Sequence, residues 1–175
     1  MQNNIIVLNG DYDNVDACER AINYALNSKY NAGVAANNVY MFEDIQTIAK
    51  RFEMTRKIYG KNEGRKIYHI IISLDINYLG YCNVDIYTEK VVQYFRNYQV
   101  VAVQHFRSDK NAHDWHIHLI INAVSFITGN RFYANRMELF DFASYLKRLT
   151  NVRHEVIWDS EEYFDELYDD YEYMR

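Results

Sequence analysis

The hydrophobic positions of the chain fall into segments of two different periods. From Asn14 onward, Val15, Ala17, Ala21, Ile22, Ala25 and Leu26 recur at helical spacing with polar residues between them, which predicts a first helix over about 14–27. Val39 to Tyr59 carries a looser pattern of the same period (Phe42, Ile45, Ile48, Ala49, Phe52) that runs unbroken to Gly60. Lys66 to Leu74 is β-branched and aromatic, short, and flanked by Gly64 and Asp75, as a strand requires. Beyond it the pattern predicts a helix over Val84–Asn97, a strand over Tyr98–Phe106 and a turn at Asp109–Ala112. A strand over Trp115–Val124, a turn at Gly129-Asn130, a helix over Asn135–Leu149 and a last strand over Val152–Trp158 complete the list.

From Lys66 the predicted order is β-α-β-β-α-β, so the expected fold class is α+β: a ferredoxin-like antiparallel sheet with helices on one face, preceded by a helical segment. With one face covered, the other is left for a ligand. The chain contains no proline, internal repeat or low-complexity linker. Its 175 residues, 49% hydrophobic and 16% aromatic, suit one domain with one core.

Charge redraws that picture at one end. The formal net charge of -5 argues against a nucleic-acid partner, because phosphate binding calls for an excess of Lys and Arg. However, residues 157–175 hold eight acids against Arg175, which leaves residues 1–156 at +2. The expected organisation is a mildly basic domain over 1–156 and a solvated acidic tail over 157–175. Cys18 and Cys82 lack metal-site or disulfide spacing and are expected to be buried free thiols. No basic leader or run of 18 apolar residues occurs, so the expected location is cytoplasmic, with no membrane partner.

The candidate chemistry is concentrated in one hairpin. Side chains two apart on a strand share a face, so His116 and His118 point the same way, while Trp115, Ile117 and Leu119 point the other. A hairpin centred between Asn111 and Ala112 places His105 opposite His118 and on the same face, giving three imidazoles. Three neutral imidazoles can hold a divalent metal and leave positions open for water or a phosphate oxygen. His113, at the start of the second strand, competes with His105 for the third place. His69 reads as structural and His154 as a surface residue.

These residues resemble a known family. His116-Ile117-His118-Leu119-Ile120-Ile121 matches the His-hydrophobic-His signature of the HUH endonuclease superfamily, and the flanks are similar to the relaxase (mobilisation nuclease) family within it. Tyr59-Gly60-Lys61, Tyr68-His69-Ile70-Ile71-Ile72-Ser73 and Asn122-Ala123-Val124-Ser125-Phe126-Ile127-Thr128-Gly129 resemble relaxase segments in the relaxase order. Ala21-Ile22-Asn23-Tyr24-Ala25-Leu26-Asn27 looks like the family's N-terminal helix.

The resemblance implies metal-dependent, site- and strand-specific nicking of single-stranded DNA at the origin of transfer of a plasmid or other mobile element. Tyr24 would be the nucleophile and a 5′-phosphotyrosyl DNA the intermediate, with accessory relaxosome proteins as further partners. Two departures stand out: His105 lies eleven residues before His116, more than the family pattern has, and Asp75 is the nearest acid where the family carries a glutamate.

Two other readings remain open. A rolling-circle replication initiator would use a tyrosine after the histidines, here Tyr145, and a non-catalytic module would stack single-stranded nucleic acid on exposed aromatics. DNA contacts are expected from Arg51, Arg56, Lys57, Lys61 and Arg131. Magnesium or manganese suits phosphoryl chemistry, whereas imidazole ligands also suit zinc, nickel or cobalt.

Overall fold

The computed structural model describes residues 3–75, 79, 83–107 and 114–158. Ten elements follow in order: β1 (Asn4–Val7), α1 (Ala17–Leu26), β2 (Asn31–Asn37), α2 (Ile45–Ile58), β3 (Ile67–Leu74), α3 (Val84–Tyr94), β4 (Val100–Arg107), β5 (Asp114–Asn122), α4 (Arg136–Thr150) and β6 (Glu155–Trp158). The strands form one six-stranded sheet in the order β2-β4-β5-β3-β1-β6. All neighbouring pairs are antiparallel except β1 with β6, which run parallel.

The split β-α-β core is present as β3-α3-β4-β5-α4-β6, with β5 between β3 and β4. Two strands were not foreseen. β1 inserts between β3 and β6, where a bare ferredoxin-like sheet would have those two adjacent, and β2 adds an edge beside β4. Ile5, Ile6 and Val7 of β1 are buried, as expected of a short apolar run in the middle of a sheet. β2, Asn-Ala-Gly-Val-Ala-Ala-Asn, has little β propensity and is held by its pairing to β4.

The expectation of helices on one face needs the sharpest correction. α3 and α4 pack on one face, with Tyr87, Val91, Leu139, Phe142 and Leu146 against Ile70, Ile72, Ala102, Ile117 and Leu119. α1 and α2 cover the other, with Ala21, Ile22, Ala25, Ile48 and Phe52 against Ile71, Val101, Val103 and Ile120. The N-terminal helices therefore close the face expected to be open. The reason is legible in their composition: each carries an apolar stripe that has to be buried somewhere, and only this face remains.

Helix starts follow the expected chemistry. Asn83 Oδ1 accepts from the Ile86 N–H, and Asn135 forms a reciprocal capping box with Glu138. The turn after β5 is clamped to the end of α2 by the Tyr59 hydroxyl, which donates to the carbonyls of Phe126 and Ile127. Gly129, at φ +70°, meets the Tyr59 ring where any Cβ would collide with it. Cys18 is a buried thiol, its pKa pushed up to about 12 by burial, as expected; Cys82 lies outside the described residues. β6 extends through Trp158, so the first two residues assigned to the acidic tail belong to the sheet, and 159–175 lie outside the described residues.

His154 is not a surface residue: it is only 4% exposed, and its Nδ1–H donates to the Val152 carbonyl at 3.2 Å. Burial lowers its pKa from 6.5 to about 4, despite that hydrogen bond. A histidine held neutral in the fold but protonated in the unfolded chain leaves stability intact above about pH 6.5 and erodes it as pH falls toward 4. The loss attributable to this group is on the order of 3 kcal/mol. Urea unfolding between pH 7 and pH 4.5 is expected to show a shallower decline for His154→Gln than for the parent; equal slopes would remove His154 as a source.

Candidate metal and nuclease site

Three strands and one helix supply the site. His69 stands on β3, His105 on β4, and His116 and His118 on β5, all on the face covered by α1 and α2. The register pairs His105 with His116 and Val103 with His118. The expected hairpin was thus displaced by two residues: His105 faces His116, not His118. Because strand side chains alternate faces, a two-residue displacement changes the partner and preserves the face. Phe106 and Trp115, stacked at 4.8 Å on the opposite side of the hairpin, pin the observed register.

The three imidazoles converge. Ring centroids are 5.2 Å apart for His105 and His116, 4.3 Å for His105 and His118, and 5.1 Å for His116 and His118. One nitrogen from each lies within 4.8 Å of the others, so His105, His116 and His118 could hold a metal ion. His113, the alternative third ligand, lies outside the described residues.

All three rings are buried, and for His118 and the neighbouring His69 burial disfavours the charged form. Desolvation, followed by the neighbouring His116, holds His118 well below the ordinary histidine range. Desolvation, followed by His105, brings His69 down to about 3. Neutral imidazole is the form that binds metal.

The remaining ring nitrogens are oriented from behind. His105 Nε2 lies 2.8 Å from the Ala25 carbonyl oxygen; a carbonyl can only accept, so Nε2 carries the proton and Nδ1 the lone pair. Ala25 sits in the last turn of α1, whose final carbonyls have no partner within the helix, so the imidazole satisfies one of them. Asn31 Nδ2 satisfies the next, Leu26 O, at 2.9 Å. This approach is possible because α1 faces the sheet with small side chains, Ala17, Cys18, Ala21 and Ala25.

His118 Nδ1 lies 2.9 Å from His69 Nε2, and His69 Nδ1 lies 3.1 Å from the Tyr12 hydroxyl. His118 Nε2 is buried and has no hydrogen-bond partner among the described residues. A buried ring nitrogen left in that state costs about 1–3 kcal/mol unless something binds it. The donor set therefore fits a divalent cation.

Tyr24, on α1, is half buried with its ring edge against His118 at 5.6 Å and His69 at 6.3 Å between centroids. Tyr145 belongs to the opposite layer: it is on α4, packs against Tyr94 and donates to the Lys90 carbonyl. The sheet separates it from the histidines.

Of the expected DNA contacts, Arg56 needs correcting. It is buried, with its guanidinium donating to Asn62 Oδ1, the Lys66 carbonyl and Asn122 Oδ1, so it joins α2 to the sheet and does not face solvent. Lys61 donates to the Gly129 carbonyl, and Arg131 to the carbonyls of Arg65 and Lys61. Arg51 pairs with Glu43, and Lys57 with Glu53; these two basic side chains are the exposed ones. Sequence reasoning missed Tyr12 and the Ala25 carbonyl, and treated His69 as a background residue.

Residues 24–154 match the relaxase family, described as MobA/VirD2-like, nuclease domain. The chain belongs to this family. The relaxase domain is also 29% identical over 126 residues to Protein rlx of Staphylococcus aureus. That match covers 70% of this chain and 36% of the Staphylococcus protein, so the chain spans little more than a third of that relative's length. Among the described residues, no helix of this relaxase is long and apolar enough to cross a membrane.

If the three histidines form one site, removal of any of them removes the others' function. Mn2+ is expected to raise the melting temperature of the parent protein, and His116→Ala or His105→Ala to abolish the rise. An undiminished rise in both variants would place any bound ion elsewhere.

Proposed function

We propose that this relaxase domain nicks single-stranded DNA at an origin of transfer, with Tyr24 as nucleophile and His105, His116 and His118 as metal ligands. The observation that carries the reading is the position of Tyr24, on a helix that touches the histidine cluster through the Ala25 carbonyl, with its ring against His118. Membership of a nuclease family supports the reaction class.

The chain's own groups have clear tasks in such a reaction. The Tyr24 oxygen attacks the phosphorus, the tyrosyl O–P bond forms and the P–O3′ bond breaks. The phenolic proton is given up, the departing 3′ oxygen takes one, and the net change is transesterification with phosphodiester energy retained for rejoining. A divalent ion, when bound, supplies positive charge to the non-bridging phosphate oxygens as the attack develops. The three imidazoles fix its place, and α1 fixes the tyrosine relative to them. Burial of the cluster excludes water that would otherwise compete with the tyrosine.

Of the basic residues singled out from the sequence, Arg51 and Lys57, on the exposed side of α2, can reach the DNA backbone once their carboxylate partners are displaced. Lys61 and Arg131 shape the neighbouring turn instead. Accessory relaxosome proteins remain part of the proposal. A replication-initiator mechanism through Tyr145 is disfavoured by the sheet that lies between that residue and the histidines.

The deciding experiment incubates the full chain and Mn2+ with labelled single-stranded DNA from its own replicon, followed by denaturing electrophoresis. A covalent protein–DNA adduct is expected for the parent. Tyr24→Phe is expected to reduce it at least about a thousandfold, with DNA affinity nearly unchanged. Loss of the adduct in Tyr145→Phe and not in Tyr24→Phe would overturn the assignment. Intact DNA binding with neither adduct nor cleavage would favour a non-catalytic binding module.

A further inference from the structure

Behind the histidine cluster lies a second set of buried groups that the proposed reaction does not itself use. His69 Nε2 is 2.9 Å from His118 Nδ1, and its other nitrogen is 3.1 Å from the Tyr12 hydroxyl. Both histidines are fully buried, and Tyr12 nearly so. No carboxylate takes part in any of these hydrogen bonds.

Two proton orders are compatible with these distances. In one, His69 Nε2–H donates to His118 Nδ1. A neutral His118 then carries its proton on Nε2, where that N–H has no acceptor among the described residues and offers no lone pair to the cluster. In the other, His118 Nδ1–H donates to His69 Nε2, and His69 Nδ1–H donates to Tyr12 Oη. The lone pair of His118 Nε2 then faces His105 and His116. An unpartnered buried N–H is rarer and costlier than an under-used acceptor, which already favours the second order, and metal ligation requires it.

We infer that His69 is a positioning residue that sets the tautomer of His118, standing as a neutral acceptor behind a metal ligand, with the Tyr12 phenol accepting at the far end of the relay. This rests on the metal reading given above. The chemistry resembles that of a carboxylate behind a ligating histidine, with one difference that follows from charge: a neutral imidazole accepts the hydrogen bond without adding a negative charge to the site. Binding of a divalent ion then leaves the centre more positive than a carboxylate relay would, which suits an anionic phosphodiester.

The surroundings hold the relay in place. Gly10 passes so close to Tyr12 that a Cβ there would lie 2.8 Å from Tyr12 Cζ and 3.1 Å from its hydroxyl oxygen. The Arg65 guanidinium lies 4.9 Å from the centre of the Tyr12 ring and, through its Nη2–H, donates to the Leu8 carbonyl. The ring is therefore fixed from two sides, and its hydroxyl is kept at the His69 nitrogen.

The test uses the full chain and the variants His69→Leu, His69→Gln and Tyr12→Phe. Long-range proton–nitrogen correlation spectra of the metal-free parent are expected to show His118 protonated at Nδ1 and His69 at Nδ1. Calorimetric titration with Mn2+ is expected to show affinity weakened about ten- to a hundredfold in His69→Leu, with most of it restored in His69→Gln, whose side-chain oxygen can accept from His118. Tyr12→Phe, the mildest change, is expected to weaken binding several-fold without lowering the melting temperature of the metal-free protein as far as a core defect would. A purely structural role for His69 predicts a lower metal-free melting temperature and equal losses in the leucine and glutamine variants, and that result would overturn the relay. So would a parent spectrum with His118 protonated at Nε2. A parent that shows the expected tautomers and binds no divalent ion would overturn the metal reading instead.

Discussion

The hydrogen bond from His105 Nε2 to the Ala25 carbonyl joins the two halves of the site. One group is a strand imidazole in the cluster; the other is the backbone carbonyl of the residue after Tyr24. Each end has its own reason to be there, since the helix needs an acceptor satisfied at its C-terminus and the imidazole needs its proton fixed on one nitrogen. Together they make the position of Tyr24 and the tautomer of His105 consequences of one contact. The small residues of α1 allow the helix to come this close, and the edge strand β2, through Asn31, ties down the carbonyl that follows. The proposed nucleophile and the candidate cation site are thus coupled through 2.8 Å of geometry, without a flexible loop between them.

Burying four imidazoles in a sheet interior is costly unless they are neutral and mutually oriented. For His69 and His118, whose charged forms burial disfavours, both conditions are met by stacking the groups in depth. Tyr12 and His69 stand behind His118, and α1 stands behind His105, so the nitrogens facing the cluster are left with lone pairs and not protons. The opposite face of the same strands, Ile117, Leu119 and Ile121, packs on α3 and α4 and carries no chemistry. Alternation along β5 therefore divides the sheet into a rigid apolar side and a polar side, and the rigid side fixes the strand that carries the histidines.

What the sequence revealed follows from which signals are local. Period-2 alternation placed His116 and His118 on one face, and parity alone brought His105 to the same side even though its partner was wrong. A register shift of two is invisible to parity; the Phe106–Trp115 pair, which stacks only in the observed register, was the signal that could have corrected it. The helices were legible because their stripes are long. β1 was hidden by its brevity, although Ile5-Ile6-Val7-Leu8 closed by Gly10 is a buried-strand pattern, and β2 by its Ala/Gly composition, which only pairing to β4 makes extended. The two-sided helical cover could not be read from elements one at a time, because it depends on which face the C-terminal helices have already taken.

Arg56 and His154 show the limit of reading polar residues as surface. Both were assigned to solvent on residue type, and both are buried: Arg56 donates to Asn62, Lys66 and Asn122, and His154 donates from Nδ1 to Val152. For Arg56 the clue lay in helical phase. It is four residues after Phe52 and eight after Ile48, so it continues the apolar stripe of α2 and has to enter the sheet with it. A cation at the end of such a stripe is admitted only where carbonyl and amide oxygens are supplied, and Asn122, at the end of β5, supplies one of them while also donating to Phe52 O and Gln99 Oε1. The strand that carries His116 and His118 is thereby anchored at its far end to α2, just as the cluster itself is anchored to α1.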